Sequence, residues 1–281
     1  MPALVTLGDC CIDTYLPPAA RAYAGGSAPN VAVAASAAGL ASGCAGVVGT
    51  DRAGQELLRL LAARGVDTAQ IAPCPGQTRR VPIRITPQGH QFAHEFMPPR
   101  RPFQPMPEML AYARGAQWAH LNWLDDPLQA LPALAAPGGP RLSLDYGARS
   151  SAELQDATLP FVHVAFFARE PGEAGHAAEL ARAAASRGPA LVVITLGAAG
   201  SLAWDGRSLV RQPAVAVNAA DAVGAGDSFI GAFLAAQLQR LPLAASLESA
   251  AQAAANTCTH PGSWPGAEID PSLLPPEENP W

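Results

Sequence analysis

Short β-branched runs alternate with longer Ala- and Leu-rich segments along nearly the whole chain, and this alternation restricts the fold more than any other feature. Strand candidates are Leu4–Leu7, Ala45–Val48, Trp118–Leu121, Leu142–Leu144, Val162–Phe166, Leu191–Leu196 and Ser201–Trp204. Helix candidates fall between and after them: Pro29–Ala38, Ala53–Ala63, Leu128–Leu134, Glu173–Ser186, Ala225–Leu238 and Leu243–Thr257. A chain that switches repeatedly between the two periods builds βαβ units, and so a mostly parallel sheet covered on both faces by helices. Near-continuous apolar runs such as Leu191-Val192-Val193-Ile194 suit strands buried between two helix layers. At 281 residues the chain can bury a sizeable core as one α/β domain, expected over residues 1–266.

One stretch breaks the rhythm. Between Gln77 and Phe103 two alternating runs flank Pro87-Gln88-Gly89-His90, which reads as a hairpin outside the parallel array. A small sheet with Arg and His on one side suits a β lid over a site, formed by about 77–103 and extended by residues 14–24. Residues 267–281 are Pro-rich and acidic and read as a loosely held tail.

The balance of charge excludes several classes. A formal net charge of -5, spread along the chain, argues against a nucleic-acid or anionic-membrane partner. No apolar run approaches the roughly 18 residues of a membrane span, and the chain opens directly on a strand-like segment, so a cytoplasmic location is expected. The five cysteines show no metal-ligand spacing and read as small buried hydrophobes. All 18 basic residues are arginine. Without lysine there is no Walker-A phosphate lysine, no protein-kinase strand lysine and no Schiff base to pyridoxal phosphate. Any phosphate chemistry here must use backbone N–H groups, arginine and metal.

Five segments carry candidate chemistry. Asp221 to Phe229 reads D-A-V-G-A-G-D-S-F, a glycine-rich turn entering an apolar helix. Gly224, Ala225 and Gly226 can aim N–H groups at one anion, reinforced by the helix dipole, with Asp227 placed as a base. A capped helix start is the plainer alternative. Gly25-Gly26-Ser27-Ala28-Pro29-Asn30 permits close backbone approach to a ligand before a small-residue helix, or is a loop with Asn30 as cap. Asp9 and Asp13 follow the first strand, where open α/β sheets bind ligands, and two carboxylates suit polyol hydroxyls. Thr195 to Ser201 ends a buried strand in a small-residue turn containing Gly197 and Gly200, fit for phosphate or merely a strand connection. Glu173 at a helix start could orient Mg²⁺ through water, or serve as a favourable helix charge. Arg79, Arg80 and His94 on the hairpin, and Asn122 and Asp145 at strand ends, are further substrate-site candidates.

The order of these elements, each at a strand end, resembles the ribokinase-like carbohydrate kinases, the PfkB family. The resemblance runs from about Leu4 to about Trp264, with G-G-x-x-x-N at Gly25 to Asn30 and D-x-x-G-A-G-D at Asp221 to Asp227. It implies a ribokinase-like three-layer α/β sandwich with a mostly parallel central sheet and a small β lid. It also implies Asp227 as catalytic base, with the backbone of Gly224 to Asp227 as anion hole. Asp13, Gly26 and Asn30 would then line the sugar site, with Asp9, Gly25, Arg79 and Asn122 beside them. Thr195, Gly197, Gly200 and Asp221 would face the nucleotide, Asn256 would lie near the adenine, and Glu173 would belong to a magnesium motif. Ala222 replaces the usual Thr after Asp221, and Glu170 replaces the Asn of N-x-x-E. Gly8–Asp13, Thr195–Gly206 and His260–Trp264 are similar to members that phosphorylate sugar–amine adducts. The expected activity is transfer of the ATP γ-phosphoryl group to a primary hydroxyl of a sugar or sugar–amine adduct, with Mg²⁺, K⁺ left open, and a homodimer through the lid. The alternatives are a kinase for ribose, fructose or a nucleoside, and a nucleotide- and sugar-binding sensor without turnover.

Overall fold

The computed structural model describes residues 1–86, 89–93 and 104–274. The turn at Pro87-Gln88, His94 with the rest of the stretch to Phe103, and the tail from 275 onward lie outside the described residues.

The chain enters through β1 (Leu4–Asp9) and leaves the main body at once for β2 (Cys11–Tyr15) and β3 (Arg21–Gly25). It returns through α1 (Ser27–Ala37), β4 (Ser42–Gly49), α2 (Arg52–Ala63) and β5 (Asp67–Cys74), then departs again into β6 (Arg79–Thr86) and β7 (Gly89–Phe92). The next stretch comprises α3 (Pro107–Arg114), β8 (Trp118–Asn122), α4 (Leu131–Leu134), β9 (Arg141–Asp145), α5 (Ala152–Thr158) and β10 (Val164–Ala168). There follow α6 (Ala177–Ala185), β11 (Leu191–Thr195), β12 (Ser201–Trp204), β13 (Leu209–Gln212), α7 (Ala225–Leu238), α8 (Leu243–Thr257) and β14 (Glu268–Ile269).

Among the described residues the strands form two sheets. The larger has nine strands in the order β13-β12-β11-β10-β9-β8-β1-β4-β5, parallel from β5 to β11, with β12 and β13 antiparallel at one edge. The order reverses on either side of β1, and in open α/β sheets a ligand crevice forms at such a switch point. The smaller sheet runs β14-β3-β2-β6-β7.

Alternation along each strand sorts the cores. Leu4, Trp118, Val164, Phe166 and Val193 pack with Phe229, Phe233 and Leu247 of α7 and α8, while Val5, Leu7, Leu121, Leu144 and Ile194 pack with Met109 and Ala181 of α3 and α6. A third cluster joins Ile12, Tyr23, Val81 and Ile83 of the small sheet to Leu57 and Leu61 of α2. Helices α1 and α7 lie very close. At Gly231 a Cβ would stand 2.5 Å from the Val31 carbonyl oxygen and 2.7 Å from the Ala34 Cβ.

Several local expectations need correction. The strand expected at Val162–Phe166 begins at Val164, because Leu159–Phe161 forms a 3₁₀ turn that delivers the chain late to the sheet. The helix expected at Leu128–Leu134 is a 3₁₀ turn at Pro127–Gln129 followed by the four-residue α4, whose Pro132 lacks the N–H that would carry the helix through. The one expected at Glu173–Ser186 starts only at Ala177, after the Pro171–Glu173 turn and Gly175. The acidic segment expected to trail loosely begins as part of the fold. Ala267 and Ile269 are buried, and Glu268–Ile269 pairs antiparallel with β3.

Candidate active site

Three carboxyl-terminal strand ends and two helix starts meet at the switch point. Asp9 closes β1, Asn122 closes β8 and Asp145 closes β9. Helix α1 starts beside them because Gly26 takes φ +106°, a conformation that places the site of a Cβ 2.6 Å from the Asp9 carbonyl oxygen. Helix α7 starts equally abruptly. Gly224 is left-handed at φ +76°, with a Cβ there lying 2.5 Å from that of Ser263, and no side chain caps the helix. First-turn amides of a helix lack intrahelical acceptors, so those of Gly226 and Asp227 are available. Gly226 is exposed, with nothing within 4 Å of a would-be Cβ. The Ala225 amide, expected to share the anion cradle, instead donates to the Ala222 carbonyl at 3.2 Å, because the turn closes on itself there.

Asp227 stands at the mouth of this cradle and is held on both oxygens. Ser27 Oγ donates to Oδ1 and Asn30 Nδ2 to Oδ2, each at 2.8 Å. Asn122 orients the serine: its Nδ2 donates to Ser27 Oγ at 3.0 Å and to Asp145 Oδ2 at 3.1 Å, and its Oδ1 accepts from the Leu124 amide at 2.8 Å. A polar chain therefore runs Asp145–Asn122–Ser27–Asp227 across β9, β8, α1 and α7. Asp227 is half-buried at its surface but enclosed by protein mass. Its carboxyl is raised to about 7, chiefly by desolvation, with the Asn30 and Ser27 bonds opposing and the charges of Asp145 and Asp13 adding to the rise. Asp145 is raised to about 6 by burial, against the Gly147 amide, which donates to its Oδ1 at 2.9 Å.

The small sheet supplies the opposite wall. Asp13 on β2 is raised to about 7, first by burial and then by the charge of Asp221, with Cys11 and Arg79 opposing. Gly25 lies directly beneath, Asp13 Oδ2 occupying the space of a Cβ. Arg79 on β6 faces Asp9, Nη1 to Oδ2 at 3.6 Å, and the Asp9 amide donates to Asp125 Oδ1 at 3.2 Å. Asp221 accepts from Tyr15 Oη, from the Val223 amide at 3.1 Å and from the Gly262 amide at 3.0 Å. Hydrogen bonds, close contacts and charge interactions thus gather Asp9, Asp13, Gly25, Gly26, Asn30, Asn122, Arg79, Asp221 and Asp227 into one cluster built from both ends of the chain.

The remaining candidates lie outside that cluster. Thr195 ends β11 with Oγ1 3.4 Å from the Phe167 carbonyl, and Gly197 and Gly200 form the turn that follows. Pro171 lies 3.7 Å from the Cβ position of Gly197, which brings the Glu170–Glu173 turn alongside. Glu173 closes a capping box with Glu170, accepting its amide at 2.9 Å, and approaches Arg169 at 4.0 Å. Asn256 accepts from Gln252 at 2.9 Å and lines an outer groove with Ser228, Ser249 and Thr259. Among the described residues its side chain takes a hydrogen bond from Gln252 rather than from Thr195, Gly197 or Gly200. Sequence reasoning left Ser27, Asp125 and Tyr15 without a role. Ser27 lay inside a recognised motif, whereas nothing local marks Asp125 or Tyr15.

A ribokinase-like α/β fold with a carboxylate at an uncapped, glycine-rich helix start defines a carbohydrate kinase. The chain belongs to the pfkB family of carbohydrate kinases, whose model matches residues 1–89 and 154–269, and it is an ATP-dependent sugar kinase. It is 31% identical over 270 residues to a fructoselysine 6-kinase of Escherichia coli K12, covering 94% of this chain and 100% of that one. It is 29% identical over 259 residues to a fructosamine kinase of Bacillus subtilis strain 168, covering 91% and 90%. The ribokinase of Arabidopsis thaliana, solved with ribose and ATP, superposes with a TM-score of 0.77 at 18% identity over 97% of each chain. No helix among the described residues is long and apolar enough to cross a membrane.

Proposed function

We propose that the chain phosphorylates a primary hydroxyl of a fructosamine, a sugar–amine adduct such as fructoselysine, with Asp227 as the general base. The observation that carries the base role is the clamp of Ser27 and Asn30 on Asp227 at the mouth of the open α7 cradle. The fructosamine assignment is supported by the two full-length relatives that bear those names. Asp9, Asp13 and Asn30 supply acceptors for sugar hydroxyls, and a cleft rich in carboxylates suits a substrate carrying a protonated amine.

The residues fit a nucleotide. The free Gly226 and Asp227 amides and the unfilled space over Gly226 make room for phosphate oxygens at a positive helix end. Thr195, Gly197, Gly200 and Asp221 would flank ATP, the phosphoryl donor. No group of three or more His, Cys, Asp or Glu forms a ready metal cage among the described residues. That suits Mg²⁺ arriving with the nucleotide phosphates and held by water, with Glu173 as its protein partner once its capping bond is released. Magnesium would neutralise phosphate charge. Asp227 accepts the hydroxyl proton as that oxygen attacks, and the α7 amides stabilise the charge that builds on the transferred group. Asn122 and Asp145 hold Ser27, and so the base, in place.

The body over residues 1–266, covered by the small sheet as a lid that pairs in a homodimer, and a cytoplasmic setting complete this reading. ADP release measured across fructosamines, ketohexoses, pentoses and nucleosides tests it. The highest kcat/KM is expected on a fructosamine, and a tenfold or greater preference for a free sugar or nucleoside overturns the substrate assignment.

A further inference from the structure

Ala222 leaves the residue after Asp221 without a hydroxyl, yet the structure brings one from elsewhere. Tyr15 is the last residue of β2, buried in the small sheet edge-on to Tyr23 at 5.1 Å, and its hydroxyl donates to Asp221 Oδ2. The same carboxylate holds the amides of Val223 and Gly262. It therefore fastens together three stretches distant in sequence: the small sheet, the turn before α7, and the loop after α8. The Val223 bond lies inside the turn that sends Gly224 left-handed, and so helps to fix where the free α7 amides point. The loop after α8 is pinned from both sides. A Cβ on Gly262 would stand 2.6 Å from the Tyr23 ring, and Ser263 packs on Gly224. Burial and the Asp221 charge hold the Tyr15 phenol far above its ordinary range, so it remains a donor at any working pH.

We propose that Tyr15 is a positioning residue for phosphoryl transfer, its hydroxyl locking Asp221, and with it the anion turn, to the strand that carries Asp13. The inference rests on the kinase reading of the crevice. It makes the small sheet a part of the phosphate machinery: a strand seated by sugar at Asp13 also presents the hydroxyl that keeps the cradle in register. A buried carboxylate that loses one of three donors is free to turn, and the Val223 and Gly262 bonds loosen with it.

Tyr15→Phe removes only the hydroxyl and keeps the ring contact. Its kcat is expected to fall about tenfold, the loss typical of one hydrogen bond to a charged group, with sugar KM within about twofold. In an Asp221→Asn background the same change should alter kcat less than about twofold, since the two residues act as one unit. Hydrogen exchange at the Val223 and Gly262 amides should quicken about tenfold in Tyr15→Phe, read without any substrate. A mistaken sugar would thus spoil the turnover arm and leave the exchange arm intact. Wild-type exchange at those amides overturns the proposal, as does equal loss of kcat in both backgrounds. A lowered Tm with unchanged kcat would reduce Tyr15 to packing.

Discussion

The two sheets solve different problems with different stretches of chain. The nine-stranded sheet is assembled largely from apolar strands separated by helices, and its candidate site groups hang from strand ends and helix starts. The five-stranded sheet is sewn from residues 11–15, 21–25, 79–86, 89–92 and 268–269, and it carries Asp13, Tyr15 and Arg79. A base needs a fixed position to within fractions of an ångström, whereas recognition needs a wall that can vary between relatives. On the proposed reading, proton transfer falls to the large-sheet side, while the small sheet adds Asp13 and Arg79 to the sugar contacts that Asp9 and Asn30 make from the large-sheet side.

The strongest challenge to that division is Asp227→Asn. Turnover should fall by about 10²-fold or more while ATP affinity stays within about twofold, measured by steady-state kinetics and calorimetry. Near-normal turnover would take the base away from α7. Next is pH. A base must be ionised, and Asp227 is raised to about 7, so kcat/KM should drop roughly tenfold per unit below that value and level off above it. Asp13, also raised to about 7, shares this titration, so the apparent value belongs to the pair. An acid limb near 4 would show that burial does not govern the base.

Smaller effects sharpen the comparison. Asp13→Asn should raise sugar KM about tenfold and change kcat by less, since it removes a charged acceptor from the recognising wall. A kcat loss at constant KM would put the small sheet into the proton-transfer step. Gly226→Ala adds a methyl that meets no protein atom, so Tm should hold within about 2 °C while kcat/KM for ATP falls about tenfold. The smallest effect concerns potassium. Asp221 already takes three hydrogen bonds and Ala222 offers no hydroxyl, so exchanging K⁺ for Na⁺ should alter kcat less than about twofold.

The sequence displayed α7 and α8 to the residue, because both are long, apolar and bounded by Gly224 and Pro242. It displayed the motif acids because strand ends and glycine turns leave local marks. It hid β5, whose residues Asp67–Cys74 are, Ile71 excepted, exposed or partly exposed at a sheet edge and lack a buried stripe. It also hid α3 and α5, which are short and bury few residues. Tyr15 was hidden for a different reason. Its partner lies 206 positions away, and no periodicity encodes which distant carboxylate a phenol will meet.

The near-contact of α1 with α7 at Gly231 reaches further than packing. Gly231 lies one turn along from Asp227, and Val31, which it touches, directly follows Asn30. A methyl group at that spot would wedge the two rods apart and stretch the grip of Asn30 and Ser27 on the carboxylate. That grip keeps its proton affinity in check, so loosening it would confine the enzyme to more alkaline surroundings. With Asp227 as the proposed base, an atom absent from a helix interior would thus help to set the acidity in which the reaction runs.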